Sequence, residues 1–152
     1  MSLREAIGTA LKDAVRAQDK RRISTLRLIT AAIKDRDIAA RTAGVDEGVP
    51  AATILEILVK MIKQRHESAT TYEEAGRLEL AEQEREEIAI ISEYLPRQLS
   101  EDETKRACSE VIGDIGAGGL KDIGRCMGAL KERYPGRMNF SRASGIVKEM
   151  LK

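Results

Sequence analysis

Helical periodicity is the feature of this 152-residue sequence that most constrains its fold. Apolar residues recur every three or four positions, as Leu3, Ile7, Leu11 and Val15 do, and no segment alternates with a period of two. The first spacing puts apolar side chains on one face of an α-helix, whereas a half-buried strand requires alternation. The sequence therefore predicts an all-α chain without strands.

Local capping signals divide this pattern into seven predicted helices. The sequence S-x-x-E, at Ser2 and again at Ser100, is a capping box that predicts the beginning of a helix. Asp19 is a predicted N-cap, and the fourth helix is expected to end at Tyr94. Gly76 leaves only a very short link between the third and fourth helices, so these two should form an antiparallel hairpin.

The best candidate for a domain boundary is the segment 96–100, where a proline interrupts the helical pattern before the second capping box. Residues 1–95 are predicted to form an N-terminal helical domain that contains the hairpin. Residues 96–152 are predicted to form a small C-terminal three-helix-type bundle.

Charge is distributed unevenly along a chain whose formal net charge is only +1. Residues 1–45 carry a net charge of +5, residues 46–95 carry −7 and residues 96–152 carry +3. The total excludes a polycation that coats nucleic acid through bulk charge. With four aromatic residues in the chain, a protein that stacks successive bases on rings is also disfavoured.

A basic stripe is predicted on the second helix, where Lys20, Arg27, Lys34 and Arg41 follow one another at intervals of seven residues. A straight helix drifts only about 20° per seven residues, so these side chains share one side. One interpretation is a surface that tracks phosphates. The alternative is a solvated helix face that the acidic middle segment partly neutralises, and charge alone favours this alternative.

Charged residues also occupy apolar helix faces in the predicted hairpin. Arg65 lies among apolar positions of the third helix, and Glu84 and Glu87 lie roughly opposite on the fourth. We expect a partly buried ion pair between Arg65 and Glu84, with Glu87 as the second choice, that fixes the hairpin register. The alternative is that Arg65 extends past its neighbours to water.

No catalytic, cofactor or metal site is predicted from the residue pattern. Cys108 and Cys126 lack the C-x-x-C spacing and are interpreted as buried free thiols rather than as a disulfide or metal ligands. The run from Gly116 to Lys121 departs from the phosphate-loop motif and is read as an interhelical turn. Gly124 and Gly128 are expected to permit close helix contact.

The sequence also contains no apolar run long enough to span a bilayer, and its beginning lacks a secretory signal. These observations predict a soluble, cytoplasmic protein with no membrane partner.

Several segments together resemble the YqeY-type proteins of the GatB/YqeY family. These are residues 93–100 (EYLPRQLS), 119–127 (GLKDIGRCM), 24–27 (STLR), 31–34 (AAIK) and 63–65 (KQR). The resemblance covers nearly the whole chain, and the combination of motifs is specific.

The resemblance implies a particular function for residues 96–152. In that family this portion is similar to the tail domain of GatB, a component of the tRNA-dependent Asp/Glu amidotransferase, and that tail is a helical module that helps recognise tRNA. The enzyme is a carbon–nitrogen ligase with glutamine as amide donor, but its catalytic domains do not fit within this chain. The resemblance therefore implies a non-catalytic module without a cofactor, with tRNA or amidotransferase subunits as partners.

A tail-like contact with tRNA would use basic residues of the C-terminal region, together with Lys20, Arg27 and Lys34 of the basic stripe. The candidates there are Lys121, Arg125, Lys131, Arg133, Arg137, Arg142 and Lys148. Such contacts would go mainly to phosphates and to RNA shape, and the glycines 118 and 119 would let the backbone approach. The alternative function is a protein-interaction adaptor without RNA binding.

Overall fold

The computed structural model describes all 152 residues and confirms the all-α prediction. Its seven helices are α1 (Leu3–Ala17), α2 (Lys20–Thr42), α3 (Ala51–Glu74), α4 (Leu78–Ser92), α5 (Glu101–Ile115), α6 (Ile123–Arg133) and α7 (Phe140–Leu151). A short 3-10 helix, Leu120–Asp122, precedes α6. None of these helices combines the length and the apolar character that crossing a membrane would require.

By its contacts the chain divides into two compact units, Met1–Leu95 and Pro96–Lys152, called here the N-terminal and C-terminal units. Helix α5 of the second unit begins with a complete capping box. Ser100 Oγ accepts a hydrogen bond from the Glu103 backbone N–H at 3.1 Å, and the Glu103 carboxylate accepts one from the Ser100 N–H at 3.0 Å. At the beginning of α1, Ser2 accepts the N–H of Glu5, but the reciprocal bond is absent.

Four helices surround the core of the N-terminal unit. Its largest fully buried side chains come from all four, namely Ile7, Leu26, Ile29, Ile54, Leu58 and Ile91. Burying one such side chain contributes about 1.5–3 kcal/mol. The apolar faces that the periodicity predicts therefore meet in one core, and this core fixes which faces of α1 and α2 remain in water.

Helices α3 and α4 form an antiparallel hairpin. Arg65 of α3 pairs with Glu87 of α4, and nearer the turn Glu73 pairs with Arg85, so the two helices run in opposite directions. The turn places Gly76 at φ 74°, a left-handed conformation that glycine adopts without a Cβ clash.

Two details of α4 differ from the prediction. The helix ends at Ser92, and Tyr94 lies beyond it. Leu80, which helical periodicity places on the same face as the buried Ile91, is 37% exposed. Leu80 does not belong to the core of the N-terminal unit, whereas Ile91, near the other end of α4, packs there with residues of α1 and α2.

Three helices, α5, α6 and α7, pack around the core of the C-terminal unit. Cys108 of α5 and Cys126 of α6 are both fully buried there and are free thiols, as predicted. Burial raises the pKa of both thiols. Each cysteine thus behaves as a small apolar residue of this core.

Candidate nucleic-acid interface

The basic stripe on α2 is exposed and free of ion pairs. Lys20, Arg27 and Lys34 are all exposed, and none of them lies within salt-bridge distance of a carboxylate. Successive members are about 10.5 Å apart along the helix axis. Arg41, one further interval along α2, is also exposed. The stripe is therefore available to an anion from outside the chain.

Two arginines on another face of α2 pair with acidic residues of α4 and of the segment just after it. Arg22 Nη1 lies 2.8 Å from the Glu93 carboxylate. Arg21 Nε lies 3.3 Å from Glu86 and Arg21 Nη1 lies 3.8 Å from Glu87, although Nε makes no well-oriented hydrogen bond. The acidic segment therefore forms its ion pairs with Arg21 and Arg22, on a neighbouring face of α2, and makes none with Lys20, Arg27 or Lys34.

Inside the hairpin, Arg65 pairs with Glu87 and not with Glu84, which was the first choice from the sequence. Arg65 Nε donates to Glu87 Oε2 at 3.0 Å, and Nη1 donates to the backbone oxygen of Met61 at 3.1 Å. Burial is the main cause that raises the pKa of Glu84. The charge of Glu87 raises it further and that of Arg65 lowers it. Glu84 thus lies near the pair without belonging to it.

In the C-terminal unit, three of the predicted contact arginines are engaged within their own unit. Arg133 lies 2.7 Å from the Asp114 carboxylate. Arg142 Nε donates to Glu101 at 3.1 Å. Arg125 pairs with Asp122 at 3.2 Å and donates to the backbone oxygen of residue 115 at 3.0 Å. A phosphate would have to compete with these partners.

Arg137 is a fourth engaged arginine. Its Nε donates to the backbone oxygen of Arg97 at 3.1 Å, and its guanidinium lies 5.9 Å from the ring centroid of Tyr134. The backbone of the same region pairs as well, since Leu99 N–H donates to the Arg137 oxygen at 2.8 Å and the Gln98 amide donates to residue 136 at 2.6 Å. Arg137 therefore holds the segment before α5 against the segment before α7.

The three predicted lysines of this unit remain free. Lys121, Lys131 and Lys148 are exposed and make no ion pair. Lys121 and Lys131 lie at opposite ends of α6 and its preceding turn, about 15 Å apart along the axis. Lys148 lies on α7.

Two glycines leave open space on the exposed side of α6. Gly124 and Gly128 leave this side without side chains, and a Cβ at either position would meet no atom within 4 Å. The prediction that they permit close contact between helices of this chain is therefore wrong, since no helix lies over them. Gly118 and Gly119 are equally open. The backbone of a bound nucleic acid can approach this surface between Lys121 and Lys131.

Asp122 organises the glycine turn, a role that was not predicted from the sequence. Its carboxylate accepts the Gly118 backbone N–H at 2.9 Å, and that bond is the main cause that lowers the pKa of Asp122. The residue is 8% exposed although it adjoins the exposed Lys121. The available signal was an aspartate four residues after a glycine in a turn, since aspartate side chains often bond to backbone groups of nearby residues.

Metal chemistry finds no support in the side-chain arrangement, because no three His, Cys, Asp or Glu side chains lie close enough together to hold a metal ion. The residues of this surface are cations and glycines, a combination that can bind an anion.

Comparison with known proteins places the whole chain in one family. The model of a family described as Yqey-like protein matches residues 4–151. The altered inheritance of mitochondria protein 41 of Clavispora lusitaniae is 27% identical over 155 residues, which cover 99% of this chain and 85% of that protein.

Proteins of the same name give shorter matches. The one of Vanderwaltozyma polyspora is 34% identical over 85 residues, and the one of Kluyveromyces lactis is 32% identical over 89 residues. These matches cover 56% and 59% of this chain but only 44% and 46% of the two relatives, so they span less than half the length of each. The prediction of a cytoplasmic protein is wrong by this comparison, because these curated relatives are named as mitochondrial proteins.

Proposed function

The chain belongs to the YqeY-like protein family, and from this premise we propose that it is a non-catalytic helical module that binds tRNA through phosphate contacts. One observation carries the proposal. Of the ten predicted contact residues, six are exposed cations without an ion pair, namely Lys20, Arg27, Lys34, Lys121, Lys131 and Lys148. The other four are arginines whose guanidinium groups are already bound within the C-terminal unit.

Phosphate and shape are the features of RNA that such a surface can bind. All four aromatic residues are partly buried, and three of them pack against the two cores: Tyr94, Tyr134 and Phe140. No ring is fully exposed, which disfavours the stacking of successive bases. Exposed lysines beside open glycines favour close approach of an RNA backbone without base readout.

Residues 119–127 resemble a segment of the YqeY-type proteins, and the similarity of that family's C-terminal portion to the tail of GatB supports tRNA as the nucleic acid. That segment contains Lys121, Asp122 and the first glycine of α6. On this proposal the chain presents tRNA to a catalytic partner, or holds it for one. The purified chain alone should produce no amidated product from glutamine, ATP and mischarged tRNA.

Salt-dependent binding of unfractionated tRNA to the full chain tests the proposal. We expect the double substitution Lys121→Gln with Lys131→Gln to weaken binding at low salt. It should also reduce the slope of log K against log salt by about 1 for each phosphate contact that is lost. Fluorescence anisotropy at several salt concentrations measures both quantities.

A matched control is available on α3, where Lys60 and Lys63 are also exposed and unpaired. Lys60→Gln with Lys63→Gln removes the same charge from a helix outside the proposed surface. An equal loss of affinity in both double variants would mean that only the net charge matters. It would contradict the proposal that tRNA contacts Lys121 and Lys131. Absence of binding at low salt would remove the RNA proposal altogether.

The second candidate is a protein-interaction adaptor. Exposed leucines on the acidic hairpin favour it, since Leu78 is 68% exposed among glutamates. An adaptor predicts no salt-dependent tRNA binding, so the same titration separates the two functions.

A further inference from the structure

A shallow hollow lies between α1 and α2 of the N-terminal unit. Its volume is about 330 Å³, and its lining consists of Leu11, Lys12, Val15, Arg16 and Arg27. The lined surface is almost wholly apolar, so the aliphatic stems of the three basic residues line it and their charged ends belong to its rim. Val15, at its floor, is 47% exposed.

The cations of this rim are little used within the chain. Lys12 and Arg27 make no ion pair, and Arg16 lies 3.8 Å from Asp13, with both side chains well exposed. Exposed pairs of this kind contribute little to stability. The hollow thus combines an apolar floor with three available positive charges, which suits an apolar side chain that carries acidic neighbours.

The hairpin of the same unit presents that combination. We call residues 67–85 the distal arm. Its two helices bury Ala69 and Ala81, and no hydrogen bond or ion pair joins the arm to α1 or α2. Six acidic and two basic residues give it a net charge of −4. At its end Leu78 is 68% exposed and Leu80 is 37% exposed.

We propose that the distal arm of one copy of this chain docks in the α1–α2 hollow of a second copy. Leu78 enters the hollow, and the glutamates beside it face Lys12, Arg16 and Arg27. The hollow is roomy enough for the four carbons of a leucine side chain, since a single water already occupies about 30 Å³. Opposite charges on the two surfaces orient the encounter and accelerate it.

A second copy fits this hollow better than RNA does. An apolar floor offers nothing to a phosphate, whereas it removes a leucine from water. Both complementary surfaces belong to one 95-residue unit and neither is covered within it. The contact joins two different surfaces, so two copies either exchange arms about a two-fold axis or associate head to tail.

Sedimentation velocity of the full chain tests the proposal. We expect association that increases with protein concentration and weakens at high salt. Val15→Glu puts a carboxylate in the hollow, and Leu78→Glu replaces the docking side chain. Both positions are exposed, so both variants should fold, which circular dichroism verifies. Each variant alone should associate at least about tenfold more weakly, as expected when one leucine is no longer buried.

Two controls make the result specific. Ile38→Glu replaces an apolar residue of α2 that is 49% exposed but outside both surfaces, and it should associate like the unsubstituted chain. An equimolar mixture of the Val15→Glu and Leu78→Glu variants should associate more strongly than either variant alone, because the intact arm of the first can enter the intact hollow of the second. The association experiments contain no tRNA, so their outcome does not depend on the proposed tRNA binding.

Several outcomes would overturn the proposal. They are a chain that stays monomeric at every concentration, a mixture that associates no more strongly than either variant alone, and association that Val15→Glu abolishes but Leu78→Glu leaves intact. Binding to vesicles of phosphatidylcholine and phosphatidylglycerol that is sensitive to Val15→Glu, without self-association, would assign the hollow to a lipid surface instead.

Discussion

Replacing Glu87 with glutamine is expected to destabilise the N-terminal unit by about 2–3 kcal/mol. The Glu87 carboxylate accepts from Arg65 Nε at 3.0 Å and lies 3.8 Å from Arg21 Nη1. Arg65 and Glu87 are only 13% and 12% exposed, so water screens their attraction weakly. Breaking a fully buried pair costs about 3–5 kcal/mol. We expect a smaller cost for Glu87→Gln, because both side chains keep some exposure to water and Arg21 keeps its contact with Glu86.

Removal of the other partner should cost less. Arg65→Met is expected to cost about 1–2 kcal/mol, because Glu87 retains Arg21 nearby and methionine retains the apolar contacts of the arginine stem. Loss of Glu87 should cost more than loss of Arg65, because the Glu87 carboxylate lies near the guanidinium groups of both Arg65 and Arg21.

Glu84→Gln should be neutral or slightly stabilising at pH 7. Burial and the charge of Glu87 raise the pKa of Glu84 above its ordinary value of 4.5. A carboxyl whose pKa is raised on folding favours the folded state while it is protonated, and this contribution is lost as the pH rises through the folded-state pKa. The substitution should therefore relieve a cost at neutral pH, and the relief should disappear below pH 4.5.

Urea unfolding of the full chain measures these effects. Backbone amide signals in NMR spectra should be followed separately for each unit, because two units need not unfold together. A double-mutant cycle for Arg65 and Glu87 isolates their coupling. The reasoning is refuted if Glu87→Gln costs less than about 0.5 kcal/mol, the level expected of ordinary surface substitutions, or if Glu84→Gln costs as much as Glu87→Gln.

Two further predictions concern Asp37 and Asp122. The side chain of Arg4 and the Val49 N–H donate to Asp37 and lower its pKa to about 2, so its stabilisation is present above pH 3.8 and is lost toward pH 2. Asp37→Asn should thus lower the thermal midpoint at pH 7 and match the unsubstituted chain near pH 2. Asp122→Ala should speed amide exchange at Gly118 and weaken tRNA binding without reducing the salt slope. Tighter binding, as expected from the loss of a negative charge alone, would contradict the positioning role of Asp122.

Much of the fold is predictable from local sequence. Helix beginnings at Ser2, Asp19 and Ser100 follow from side chains that bond to backbone groups three residues away. Such bonds depend on few distant residues, so the sequence specifies them directly. The reciprocal bond at Ser100, which Ser2 lacks, shows that the same motif can close fully or only in part.

Register within the hairpin is less predictable. Glu84 and Glu87 lie three residues apart on the same side of α4, and an arginine side chain can reach either. Burial of Ala69 and Ala81 between the helices brings the two backbones close and helps set the register that selects Glu87 for Arg65. The extent of the core decides the exposure of Leu80, because the core includes Ile91 of α4 but does not extend to Leu80.

Periodicity and capping, which act within a few residues, allowed the sequence by itself to determine an all-α chain. Motifs spread over most of its length also determined its family. Only the tertiary structure decided which basic residues are free, because that depends on which carboxylates distant parts of the chain bring near. Arg133 pairs with Asp114 across nineteen residues and Arg142 pairs with Glu101 across forty-one. Lys121 makes no ion pair, and neither do Lys20, Arg27 and Lys34 of α2. Charge can be counted along a sequence, but its availability to a ligand depends on the neighbours that folding supplies.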